Sequence, residues 1–137
     1  MPKIAYSILL FWLAMVCLGC GPSSPPPPKI SDAEASERLV GKWKETGDTG
    51  GIVTNEFTKD GKYRSEGVEK RPQGETKFVI TATWKISGGV LTYTIESSKP
   101  KLYEPGETLE EKVLSIDERE FMYRDVNGKV QTMVRLP

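Results

Sequence analysis

From Lys42 to the C-terminus one pattern recurs, a short segment of alternating apolar and polar residues closed by a turn signal. A two-residue period puts successive side chains on opposite faces of an extended strand, so each segment has one face to bury and one for water. Thr76–Ile86 is the clearest case. Phe78, Ile80, Ala82, Trp84 and Ile86 share one side, while Lys77, Thr81, Thr83 and Lys85 share the other.

Eight such segments read as strands. The first begins at Lys42-Trp43-Lys44-Glu45; the others are Ile52–Thr58, Lys62–Val68, Thr76–Ile86, Val90–Glu96, Leu109–Ile116, Glu120–Asp125 and Lys129–Leu136. Tyr63, Ser65 and Gly67 share a face in the third, and Leu91, Tyr93 and Ile95 face inward in the fifth. Lys59-Asp60-Gly61, Ser87-Gly88-Gly89, Asp117-Glu118-Arg119 and Val126-Asn127-Gly128 supply turns. Asn-Gly is a strong hairpin signal because both residues accept positive φ. Val113 and Ile116 have opposite parity, so both reach a core only through a β-bulge. Residues 47–51, 66–76 and 97–108 are expected to be exposed loops, the last holding Pro100, Pro105 and Gly106.

The pattern predicts an all-β fold. Sequential antiparallel strands without crossover helices close economically into an eight-stranded antiparallel up-and-down β-barrel, which removes exposed edges. An open sandwich of the same strands is the alternative. Before the strands, Ser31–Val40 offers Ser31 or Asp32 as an N-cap and Glu34 for a capping box, predicting one short helix or a pair of turns. The folded domain is therefore expected over residues 31–137.

Composition narrows the chemistry. Nineteen Lys and Arg balance nineteen Asp and Glu, which removes the electrostatic case for binding nucleic acid. There is no histidine, so a Ser-His-Asp triad, a Cys-His pair and imidazole zinc sites are all excluded. No Gly-rich phosphate loop, nucleophile elbow or metal cluster occurs. Glu110 and Glu111 are adjacent, so on a strand they point to opposite faces and cannot share a proton. The expectation is a protein that is not an enzyme and needs no cofactor or metal.

The N-terminal segment reads as address and tether. Lys3 precedes an apolar run from Ile4 to Leu18, shorter than the about 20 residues that span a bilayer. Cys17-Leu18-Gly19-Cys20 resembles the lipobox of bacterial lipoproteins. That resemblance implies cleavage after residue 19, lipidation of Cys20 with palmitate-type chains, and membrane attachment through this anchor. An uncleaved signal anchor is the alternative. Gly21 after the cysteine lacks the Asp that the family associates with inner-membrane retention, which favours the outer membrane of a cell envelope, on its periplasmic or surface face. Residues 20–30 then form a linker whose Pro25-Pro26-Pro27-Pro28 favours extended polyproline II.

Within the domain, Leu39-Val40-Gly41-Lys42-Trp43-Lys44 carries a Gly-x-Trp opening just after the helical turn. Asn55-Glu56-Phe57-Thr58-Lys59-Asp60-Gly61-Lys62-Tyr63 and Trp84-Lys85-Ile86-Ser87-Gly88-Gly89-Val90-Leu91 follow. In order and spacing these resemble small bacterial lipocalin-like domains, many of them lipoproteins, over about residues 38–137. The resemblance implies that Gly41 and Trp43 close one end of the barrel, with Arg135 packed across the indole and Arg124 the runner-up. It also implies binding or carriage of a small hydrophobic molecule. Tyr63, Phe78, Trp84, Tyr93 and Tyr123 are the ligand-contacting candidates among the aromatics. The competing reading is a fully packed barrel, an interaction module whose loops meet another envelope protein.

Overall fold

A computed structural model describes residues 29–137. The leader 1–19, Cys20 and the linker as far as residue 28 lie outside the described residues. Helix α1 (Asp32–Leu39) starts at Ser31, whose hydroxyl accepts the Glu34 N–H at 3.1 Å. The Glu34 carboxylate pairs along the helix with Arg38.

Eight strands follow: β1 (Gly41–Thr46), β2 (Ile52–Phe57), β3 (Lys62–Arg71), β4 (Gly74–Ser87), β5 (Val90–Lys99), β6 (Thr108–Ile116), β7 (Glu120–Arg124) and β8 (Val130–Arg135). Each pairs antiparallel with the next, and β8 returns to β1 through Trp43↔Arg135 and Lys44↔Val134. The barrel is closed, which settles the choice against an open sandwich and gives the chain the expected eight-stranded antiparallel up-and-down architecture.

Four details follow from strand chemistry. The β6–β7 register shifts between Val113 and Ser115, and this bulge lets Val113 and Ile116 both turn toward the core. A second shift lies between Thr81 and Ala82. The expected loop 66–76 is corrected: β3 and β4 pair without a break from Lys62↔Thr83 to Arg71↔Gly74. Its charged composition suggests a solvated loop, but opposite charges across a ladder, as in Lys70↔Glu75, suit a strand pair. Likewise Ser97, Ser98 and Lys99 belong to β5, so the exposed loop begins at Pro100.

The core is densest at the end that α1 covers. Leu39, Trp43, Phe57, Leu91 and Phe121 are essentially fully buried there. Trp43 meets Phe121 edge-on at 6.2 Å and donates its indole N–H to the Leu39 carbonyl at 2.8 Å. The Arg135 guanidinium carbon lies 4.1 Å from the Trp43 ring centre, a cation–π geometry. The same guanidinium donates to the carbonyls of Glu118 at 2.8 Å and Val40 at 2.9 Å, and to that of Arg38. Gly41 is required here: at φ +138° a Cβ would sit 2.6 Å from Arg135 Nη1. The turns β1–β2, β3–β4, β5–β6 and β7–β8 gather at the opposite, open end.

Candidate functional site

Strand parity carries polar groups into the middle of this barrel. Glu45 lies two residues beyond the buried Trp43 and therefore points to the same interior. Glu111 stands in the same relation to Leu109 on β6, with Glu110 turned outward and exposed. Around them β2, β3, β5 and β7 contribute Asn55, Tyr63, Tyr93 and Tyr123.

These side chains form two hydrogen-bonded groups. In the first, the Tyr123 hydroxyl donates to Glu45 Oε2 at 2.7 Å and Asn55 Nδ2 donates to Oε1 at 3.0 Å. Asn55 Oδ1 in turn accepts the Tyr63 hydroxyl at 2.6 Å. In the second, the Tyr93 hydroxyl donates to Glu111 Oε2 at 3.0 Å. The Tyr63 and Tyr93 rings join the two groups, with centres 4.6 Å apart.

Electrostatically the layer is acidic. Burial raises the Glu45 carboxyl above its ordinary range, against hydrogen bonds from Tyr123 and Asn55 that act the other way, and Asp48 adds repulsion. Glu111 is pushed up to about 8, chiefly by burial, with Glu45 and Asp125 adding like-charge repulsion against the bond from Tyr93. Tyr63, Tyr93 and Tyr123 are all raised by burial first and by the nearby carboxylates second, so they stay protonated and act as donors.

Above this layer the open end contains a cavity of about 520 Å³. Glu45 and Ser65 lie at its floor, and Val53, Phe78, Ile80 and Tyr103 form much of its wall. Ser65 is 4% exposed and presents its hydroxyl beside Tyr63. A larger hollow of about 610 Å³ lies outside the barrel, between α1, the β4–β5 turn and β6. Its carboxylate, Asp32, is committed to the Gly88 and Gly89 N–H groups at 2.7 and 2.9 Å, and the other charged residue lining it, Lys29, is exposed to water. The mouth is the better candidate.

Of the five aromatics singled out from sequence, Phe78 lines the mouth cavity. Tyr93 and Tyr123 are core residues at 3% and 5% exposure, reaching the site through their hydroxyls. Tyr63 bridges Asn55 and the ring of Phe57. Trp84 is half-buried toward the closed end, edge-on to Phe57 at 5.6 Å and bonded to the Thr58 carbonyl. Glu45, Asn55 and Glu111 were missed. The signal that could have found Glu45 and Glu111 is the same period-two parity that identified the apolar residues. Among the described residues no group of three or more Cys, Asp or Glu side chains is placed to hold a metal ion.

No family model matches this sequence, and no curated protein does. Among solved structures, a lipocalin-like protein from Bacteroides uniformis is similar at 15% identity and a TM-score of 0.47, covering 72% of this chain and 99% of its own. An uncharacterized protein from Bacteroides eggerthii is similar at 12% identity and a TM-score of 0.49, with the same coverage of both chains.

Proposed function

We propose that the barrel binds a small, predominantly apolar molecule in its open mouth, and does so as a non-enzymatic binding protein. The observation that carries this reading is the cavity of about 520 Å³, with Val53, Phe78, Ile80 and Tyr103 on its wall, Glu45 and Ser65 at its floor, and Asp48, Glu69 and Arg71 also lining it. That is the usual composition of a small-molecule site, whose volumes run from roughly 300 to 1,000 Å³. Below it the rings of Phe57, Tyr63 and Tyr93 are in mutual contact, so a ligand occupies the mouth and does not run the length of the barrel.

The lipobox resemblance supports a site of action at a cell envelope, with Cys20 carrying the lipid anchor and residues 20–30 acting as the stalk. The test is uptake of the neutral lipophilic probe phenylnaphthylamine by the full-length chain, followed by fluorescence. Ile80→Trp, which fills the cavity, should abolish uptake without unfolding the barrel. Uptake unchanged in that variant would remove the mouth as the site. No uptake by the parent chain would favour the second reading, an interaction module for another envelope protein.

A further inference from the structure

We infer that the ligand of the mouth cavity is a protonated amine with an apolar or aromatic body. This rests on the binding reading above and specifies the class of molecule that the site accepts.

The cavity is the site; its charge decides the class. Glu45 lines the floor, and the groups that act on it electrostatically include an acid, Asp48, and no base. Glu111, deeper in the barrel, is flanked by Glu45 and Asp125, again without a base. Glu45 is therefore an acid of the cavity with no base acting on it, and Glu111 adds a second carboxyl group deeper in the same interior. A buried carboxylate left without a cation is costly, and such charges are ordinarily paired.

The cations at the mouth are already engaged, including Arg71, which lines the cavity together with Glu69 and Asp48. Arg71 bonds to Glu69 at 2.8 Å and Lys129 to Asp48 at 2.6 Å. The Arg71 side chain is about half-exposed and that of Lys129 more so. Each Glu45 oxygen accepts one donor, Oε2 from Tyr123 and Oε1 from Asn55, which leaves acceptor capacity for an ammonium N–H. The wall supplies the rest of the complement. Val53 and Ile80 suit an apolar body, while Phe78 and Tyr103 offer ring faces to a cation. An anionic ligand such as a fatty acid would set its carboxylate against Glu45 with Asp48 close by, so the site selects against it.

The groups that titrate around the floor come from every side of the barrel: Glu45 on β1, Tyr63 on β3, Tyr93 on β5, Tyr103 in the β5–β6 loop, Glu111 on β6 and Tyr123 on β7. Asp48 and Asp125 sit in the turns above. With the tyrosines protonated, the carboxylates alone change charge near neutrality. Loss of the Glu111 proton on raising the pH strengthens the field that holds an ammonium, so amine affinity rises as pH climbs toward about 8.

Three near-isosteric probes separate the classes: tryptamine (cation), tryptophol (neutral) and indole-3-propionate (anion). Each is titrated calorimetrically into the full-length chain in zwitterionic nanodiscs, with empty discs as blank and phenylnaphthylamine uptake measured alongside. Tryptamine should bind about tenfold or more tightly than tryptophol, as a charge-assisted hydrogen bond predicts, with the propionate weakest. Glu45→Gln should erase the preference and leave tryptophol binding and phenylnaphthylamine uptake intact. Tryptophol or the propionate binding as tightly as tryptamine overturns the amine assignment, while phenylnaphthylamine uptake still supports the cavity. If phenylnaphthylamine is not taken up either, the binding reading falls with it. Should Glu45→Gln fail to fold, the three-probe comparison on the parent chain decides alone.

Discussion

The two ends of this barrel dispose of their polar groups differently. At the closed end Arg135, Arg38 and Trp43 all donate to main-chain carbonyls, tying α1 and the β6–β7 turn to the barrel wall. In the middle layer, Tyr123, Glu45, Asn55 and Tyr63 bond to one another, as do Tyr93 and Glu111. The first arrangement satisfies carbonyls that would otherwise be left open and holds a packed aromatic core. The second holds carboxyl groups away from water, where ionising them is costly. An array that stabilises the fold belongs to the first kind. The second costs stability in the unliganded protein, and such local conflict is common where a site is built.

The contrast can be broken most severely at the closed end. Trp43→Ala should lower the unfolding free energy by about 3–5 kcal/mol, the usual effect of emptying a fully buried large aromatic site. Urea denaturation measures it, and a loss below about 1 kcal/mol would show that this end is not the structural anchor.

Glu111→Gln should act in the opposite direction. The folded-state pKa of about 8 exceeds the ordinary 4.5, so between those values the folded chain keeps a proton that the unfolded chain releases. Stability therefore falls as pH rises from about 4.5 to about 8. The glutamine variant should be more stable than the parent at pH 8, by on the order of 2–4 kcal/mol, and indistinguishable from it below pH 4. Equal stability at both pH values would mean that Glu111 is not held in a costly environment.

A smaller effect tests the bonds within the layer. Tyr123→Phe removes a donor to the Glu45 carboxylate and should cost about 1.5–3 kcal/mol near neutral pH. Paired with Glu45→Gln in a double-mutant cycle, much of that cost should disappear, because the charge being served is gone. The smallest effect belongs to the outer wall. Breaking the exposed Lys62–Glu96 pair by Lys62→Met should leave the melting temperature unchanged within error.

Much of the wall was legible as sequence. The alternation in Thr76–Ile86 names the inward residues of β4, and the parity conflict at Val113 and Ile116 anticipates the bulge found in β6. The Arg135–Trp43 contact sits where the lipocalin-like resemblance implies it. The candidate site was less legible. Glu45 and Glu111 obey the same parity as Trp43 and Leu109, but a carboxylate is ordinarily assigned to water, and that habit hid them. The run 66–76 misled for a related reason: its charge suggests solvent, yet an antiparallel ladder asks only that its backbone groups pair.

The sequence by itself determined which side of each strand is buried, because a two-residue period is written into the order of residues. It also determined where the chain turns, through Gly, Pro and Asn-Gly. Only the tertiary structure decided which inward residues stand at the same height in the barrel. That height follows from strand stagger, bulges and closure of β8 onto β1, none of which a single strand contains. Glu45, Asn55, Tyr63, Tyr93, Glu111 and Tyr123 come from six different strands, so their meeting in one layer is a property of the closed sheet.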